Sequence, residues 1–162
     1  MNATESGVDY RALAEFRREL RKFLAFSEKA AAAAGLTGQQ HQALLAIRGL
    51  SQGGEMGLGE LADILLKRHH SAVELVDRLV RLGLVQRLAD PADGRRARVR
   101  LTAAGAEKLR ALSAAHVKEL AGIGPALREM LRPFDRAPAP AGRKASTLDL
   151  ARRGGAIAGD KN

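Results

Sequence analysis

Two basic runs stand out for the chemistry they can do. Arg95, Arg96, Arg98 and Arg100 put four guanidinium groups into six positions, just after the turn-forming stretch "DPADG" at 90–94. A second run, Lys67, Arg68, His69, His70 and Ser71, sits where an apolar periodicity restarts. Guanidinium and ammonium groups at this density suit the binding of phosphate oxygens, by charge-assisted hydrogen bonds and by counterion release. Other chemistries find less support. His69 and His70 are adjacent, so on a helix they point about 100° apart and do not share one ion easily. No histidine pair stands at i, i+4 and the chain has no cysteine, so neither a metal nor a cofactor is expected. No paired carboxylates, glycine-rich phosphate loop or Ser-His-Asp order is evident. Ser71 beside His70 reads as a helix start. Catalysis is therefore not expected.

The whole composition points the same way. The chain has 162 residues, a formal net charge of +9 and a pI near 10.8. That balance favours a polyanionic partner, either nucleic acid or an anionic membrane surface. Hydrophobic residues make up 46% but aromatics only 3%, so a globular core must be built from Leu, Val, Ile and Ala. No apolar stretch approaches the roughly 20 residues of a membrane-spanning helix. No basic segment followed by an apolar run opens the sequence, so no signal peptide is expected and the reading is cytoplasmic.

Periodicity supplies the elements that must position the basic runs. Residues 8–34 predict a long helix with a narrow seam of Leu13, Phe16, Leu20, Phe23 and Ala30. Such a seam suits either packing on a second subunit or burial in the chain's own core. Gly35 ends it. Thr37 with Gln40 three residues on is the capping-box pattern for a second helix, whose apolar face is Leu44, Leu45, Ile47 and Leu50. "SQGG" at 51–54 breaks the chain. A short third helix is predicted over 58–66, with Leu58, Leu61, Ile64 and Leu65 buried. A fourth follows over 69–82, with Ala72, Leu75, Val76 and Leu79 inside and Gly83 at its left-handed end. The few residues around Lys67 and Arg68 join these two, which is helix-turn-helix geometry.

The period then changes to two. Residues 84–89 and 96–101 predict a hairpin in which Arg96, Arg98 and Arg100 face one way and Ala97, Val99 and Leu101 the other. Thr102 caps a last helix with Leu109, Leu112, His116, Leu120, Ile123, Leu127, Leu131 and Phe134 on one face. "GIGP" at 122–125 should kink or interrupt it. Residues 135–162 predict a disordered basic tail. The fold class expected is mainly α with a small β-wing, a winged helix-turn-helix at 35–102 between dimerisation helices at 1–34 and 103–134.

At this point a resemblance becomes specific. "ELA" at 60–62, "LVDRL" at 75–79, "GLVQR" at 83–87, Asp93-x-Arg95 and "LT..G" at 101–105 resemble the DNA-binding core of the MarR family of bacterial transcription regulators. With its flanks the resemblance spans about 8–132. It implies a homodimer whose first and last helices interleave, with Leu13, Phe16, Leu20, Leu112, His116, Leu120, Leu127 and Leu131 at the seam. It implies a repressor of a near-palindromic operator on double-stranded DNA, released by a small, often aromatic, effector; Phe23, His41 and His116 are the candidate ligand residues. His41 and His116 lie on different helices and could meet, and some members bind zinc through histidines of these helices, but no further acidic or histidine partner stands out beside either. The sequence departs from the family where Leu66 and Lys67 replace the common Gly-Val, and where Arg68 replaces a Ser or Thr cap.

Residue roles follow. Lys67, Arg68, His69, His70, Ser71 and Glu74 are expected to face the groove and its phosphates. Glu74 either accepts from a cytosine amino group or pairs with Arg78 at i+4. Arg78 is structural or phosphate-facing. Arg95 is expected in the minor groove, Arg96, Arg98 and Arg100 on its phosphate flank, and Gln39 near the backbone. A winged-helix module for protein interaction is the alternative; an arginine-faced wing argues against it.

Overall fold

The computed structural model describes residues 9–51, 53–94 and 96–132. Among these residues five helices and three strands follow one another as α1 (Tyr10–Ala33), α2 (Gly38–Leu50), β1 (Glu55–Gly57), α3 (Leu58–Ile64), α4 (His69–Arg81), β2 (Val85–Ala89), β3 (Ala97–Leu101) and α5 (Ala103–Leu131). The expected basic tail at 135–162 and Arg95 lie outside the described residues.

Helix ends are set by local chemistry. Thr37 Oγ1 accepts from the Gln40 amide at 3.2 Å while Gln40 Oε1 accepts from the Thr37 amide at 2.8 Å, the full capping box at the head of α2. Three helices end alike. Gly35 after α1, Leu66 after α3 and Gly83 after α4 all have positive φ, at 73°, 53° and 68°. In each the following amide reaches back to the last turn: Leu36 to Ala31, Lys67 to Ala62 and Leu84 to Leu79, all 2.9–3.0 Å. This is the Schellman stop. Lys108 adds a donor to the Ala34 carbonyl, at 2.7 Å.

The core lies between α2, α3, α4 and the inner face of the sheet, with Leu44, Ile47, Met56, Leu61, Val76, Leu79 and Val99 fully buried. Ile64 and Leu65 are only half-buried, and Leu45 and Leu50 face solvent. α1 packs along α5.

The sequence expectations for the wing and for the continuity of the last helix are corrected. The wing is not a two-stranded hairpin but a three-stranded antiparallel sheet in the order β1-β3-β2. β1 pairs Glu55 with Arg100, Met56 with Val99 and Gly57 with Arg98. Second, α5 runs unbroken through 122–125. Both Ala121 and Pro125 are exposed, so water can meet the carbonyl whose amide partner the proline removes. On the same helix Leu112 and His116, expected at a dimer seam, are enclosed within the chain. Leu112 is 5% exposed within the chain's own core and His116 is 9% exposed beside it. Leu127 is half-buried, whereas Leu13, Leu20, Leu120 and Leu131 are exposed, together with Tyr10, Leu24 and Val117. Phe16 is half-buried.

Candidate nucleic-acid interface

The head of α4 is chemically open. Arg68 is its N-cap and, among the described residues, no side chain caps the first turn. A helix N-terminus with unsatisfied amides carries partial positive charge. Arg68, His69 and His70 surround it, all exposed, with Lys67 half-buried in the turn and Ser71 half-buried in the first turn. No acidic residue occupies that turn.

The wing faces this helix head across a cleft of about 510 Å³. His69 lines one side; Asp90, Arg96, Ala97 and Arg98 line the other, with Gly57–Glu60 at the base. Alternation on β3 is as expected: Val99 is fully buried and the arginines occupy the opposite face. They are not equivalent, however. Arg96 is exposed and lies 3.5 Å from Asp93. Arg98 is 28% exposed and bridges inward, with Nε 3.5 Å from Glu55 Oε2 and Nη1 3.7 Å from Asp90 Oδ2. Its Nη2 also donates to the Glu55 carbonyl at 3.2 Å. Arg98 is thus tied into the sheet through Glu55 of β1, a strand the sequence did not announce. Arg100 reaches the same Glu55 carboxylate at 3.7 Å and takes the Gln86 amide oxygen on its other side.

On α4 Glu74 stands beside Arg78, four residues on. Arg78 Nη2 lies 3.6 Å from its carboxylate, and Arg78 Nε donates to its carbonyl. The sequence reading missed Arg87. It sits on the core-side face of β2, 2.8 Å from Asp77 of α4, and donates to the Val73 carbonyl. It ties the helix to the wing, and both residues lie in quoted motifs, "LVDRL" and "GLVQR". Gln39 is exposed in the first turn of α2 and does not line the wing cleft.

The ligand candidates do come together. His41 and His116 have ring centroids 4.6 Å apart, and Phe23 and Phe26 meet His116 edge-on at 6.0 and 5.5 Å. His116 Nδ1 contacts the Leu112 carbonyl at 2.8 Å. A carbonyl only accepts, so Nδ1 carries the proton, and in the neutral ring Nε2 accepts from the Ser27 hydroxyl, also at 2.8 Å. His41 is 3% exposed and its Nδ1 has no hydrogen-bond partner among the described residues. Burial, and then the neighbouring His116, push the His41 pKa below its ordinary value. These rings pack on one another; the cavities of about 530 and 510 Å³ lie elsewhere. Among the described residues no cluster of three or more His, Cys, Asp or Glu could hold a metal ion, and no helix is long and apolar enough to cross a membrane.

A helix-turn-helix with an uncapped second helix, flanked by a three-stranded arginine-bearing wing, defines the winged helix-turn-helix class. Comparison narrows the class. The family model described as "MarR family" matches residues 34–96. A probable transcriptional regulator from Pseudomonas aeruginosa is 30% identical, over 71% of this chain and 89% of that one, with a TM-score of 0.55. AbsC, a MarR family transcriptional regulator from Streptomyces coelicolor, is 22% identical over 90% and 86%, with a TM-score of 0.61. A mutant of MarR from E. coli, solved in complex with operator DNA, is 22% identical over 89% and 90%, with a TM-score of 0.52. The last two share the fold. Among curated proteins no match is found. The chain belongs to the MarR family of transcription regulators.

Proposed function

We propose that the chain binds double-stranded DNA as a homodimer, seating α4 in the major groove and the wing in the adjacent minor groove, and that it represses transcription from a near-palindromic operator. The carrying observation is the cleft that sets the open head of α4 and His69 opposite Arg96 and Arg98. The net charge of +9 supports the same partner. So does the E. coli relative of like fold that is solved with operator DNA. Lys67, Arg68 and Arg96 are assigned to phosphates. His69, His70 and Ser71 are assigned to base edges, and Arg95, from its Asp-x-Arg motif, to the minor groove. The exposed stripes Leu13, Leu20 and Leu24 on α1 and Val117, Leu120 and Leu131 on α5 support a partner subunit there. Relief by a small aromatic effector completes the reading; the assembly of Phe23, His41 and His116 into one cluster supports it.

The test is binding of genomic fragments and of a mixed-sequence duplex as salt is varied. With roughly 6–10 phosphate contacts per dimer, affinity should fall about three to five decades between 50 and 200 mM salt. Fragments retained at higher salt should share half-sites about 10 bp apart. A particle of one 17.3 kDa chain that ignores duplexes at 50 mM salt would refute the proposal.

A further inference from the structure

The wing carries its arginines and its own competitors for them. Glu55, on the strand that no periodicity announced, lies in register with Arg100. Its carboxylate stands 3.5 Å from Arg98 and 3.7 Å from Arg100. Asp90 approaches Arg98 from the loop, at 3.7 Å, and Asp93 approaches Arg96 at 3.5 Å. Two arginines of β3, and Arg96 just before it, therefore meet three carboxylates. A strand face built only to hold phosphate would leave its guanidinium groups open. Here Arg98 is drawn inward and Arg100 is shared between Glu55 and Gln86.

Phosphate contacts add affinity without sequence information. Each free arginine on a DNA-facing surface therefore strengthens binding to every duplex alike, and the useful quantity is the ratio of specific to non-specific affinity. A carboxylate that occupies an arginine lowers the non-specific term. It also sets a condition on any phosphate, which must displace it to reach the guanidinium.

We propose that Glu55 is a specificity-determining residue: by holding Arg98 and Arg100, it keeps them off the DNA backbone and lowers sequence-independent affinity. This rests on the DNA-binding reading above. Arg100 is the more exposed of the two and has no second carboxylate among the described contacts, so it is the residue Glu55 chiefly restrains. Arg98 would still keep Asp90.

The experiment is a fluorescence-anisotropy titration of a 30-bp mixed-sequence duplex across about 50–200 mM salt. It compares the full wild-type chain with Glu55→Gln, Arg100→Gln and the double variant. Glu55→Gln should bind roughly three- to tenfold more tightly, and its slope of log affinity against log salt should steepen by about one to two units per dimer, as one new phosphate contact per subunit requires. In the Arg100→Gln background most of that gain should vanish, the signature of coupling between the pair. Arg100→Gln alone should move the slope by less than about half a unit, whereas Arg68→Gln should flatten it by about two. These two measurements stand even where Glu55→Gln fails to fold. A Glu55→Gln protein that binds no more tightly overturns the proposal. So does a gain that persists undiminished without Arg100, because that is the generic effect of removing a negative charge. Equal losses from Arg100→Gln and Arg68→Gln also overturn it. Wild-type protein that binds no duplex at 50 mM salt overturns the DNA-binding reading itself, and this proposal with it.

Discussion

Gly105→Ala is the substitution whose effect the structure fixes best. Gly105 sits in the first turn of α5, where an added Cβ would lie 1.9 Å from the carbonyl oxygen of Leu84 and 2.9 Å from its carbonyl carbon. Both are backbone atoms, so no side chain can swing aside; the gap has to open from 1.9 Å to at least 3.0 Å. That carbonyl also accepts the Thr102 amide at 3.0 Å, and Leu84 leads directly into β2. Thr102 closes the same knot. Its hydroxyl donates to the Gly83 carbonyl at 2.6 Å and accepts from the Gly105 amide at 3.0 Å. Overpacking costs about 1–3 kcal/mol and the strained hydrogen bond about 1 kcal/mol. Alanine's better helix propensity returns at most about 1 kcal/mol. The net loss is about 1–3 kcal/mol, or roughly 3–10 °C in melting temperature for a chain of this size. The assay is thermal denaturation by circular dichroism at one fixed chain concentration, since any self-association would make the midpoint concentration-dependent. Gly49→Ala is the control. It lies within α2 with nothing within 4 Å of its Cβ, and should raise stability by up to about 1 kcal/mol. A Gly105→Ala protein that melts at or above the wild type would refute the packing argument.

Two further outcomes are expected. Leu66 holds a left-handed backbone at φ 53° while 93% exposed, so Leu66→Gly should raise stability by about 0.5–1 kcal/mol. It removes a left-handed cost of about 1–2 kcal/mol, offset in part by glycine's greater unfolded freedom; a lower urea midpoint would count against it. His41 has its pKa lowered by burial and by His116, so between its ordinary value near 6.5 and its folded value the unfolded chain binds the extra proton. Stability should be constant above about pH 6.5 in this respect and fall below it, levelling once the folded pKa is passed. Urea midpoints at pH 7.5 and 5.5 should therefore differ less in His41→Leu than in the wild type, and identical pH dependence in the two would sink the assignment.

Local signals in the sequence proved as good as their physics was local. The capping box at Thr37 and Gln40 joins residues three apart, and both reciprocal bonds form. Alternation over 96–101 put Val99 inside because strand faces repeat every two residues. Gly35 and Gly83 marked two helix ends because glycine tolerates positive φ. The third end was harder to place: Leu66 adopts the same geometry without glycine, and the predicted helix ran to 66 instead of Ile64. β1 was invisible for a different reason. Three residues after a glycine pair are too short to show a period, and their partners lie on β3, more than 40 residues away. Everything that depends on β1 was hidden with it, above all the roles of Arg98 and Arg100, which face as the pattern says but are held by a carboxylate from that strand.

The helical stripes of α1 and α5 show where periodicity stops being informative. A run of leucines at spacings of three and four says that a face is covered, not by what. On α5 the single stripe divides. Leu109 and Leu112 are buried in the chain's own core, His116 is enclosed beside Ser27, and beyond it Val117, Leu120 and Leu131 are exposed. On α1 the same division is radial: Ala12 and Ala31 are buried, while Leu13, Leu20 and Leu24 face out. Small residues inside and leucines outside reverse the order that a helix packed only on its own core would show. The reversal makes physical sense if the close α1–α5 approach selects alanine, and the outward leucines are reserved for a second copy. His116 stands where α5 passes from the one environment to the other, which is why a single face of α5 holds both core and candidate dimer residues.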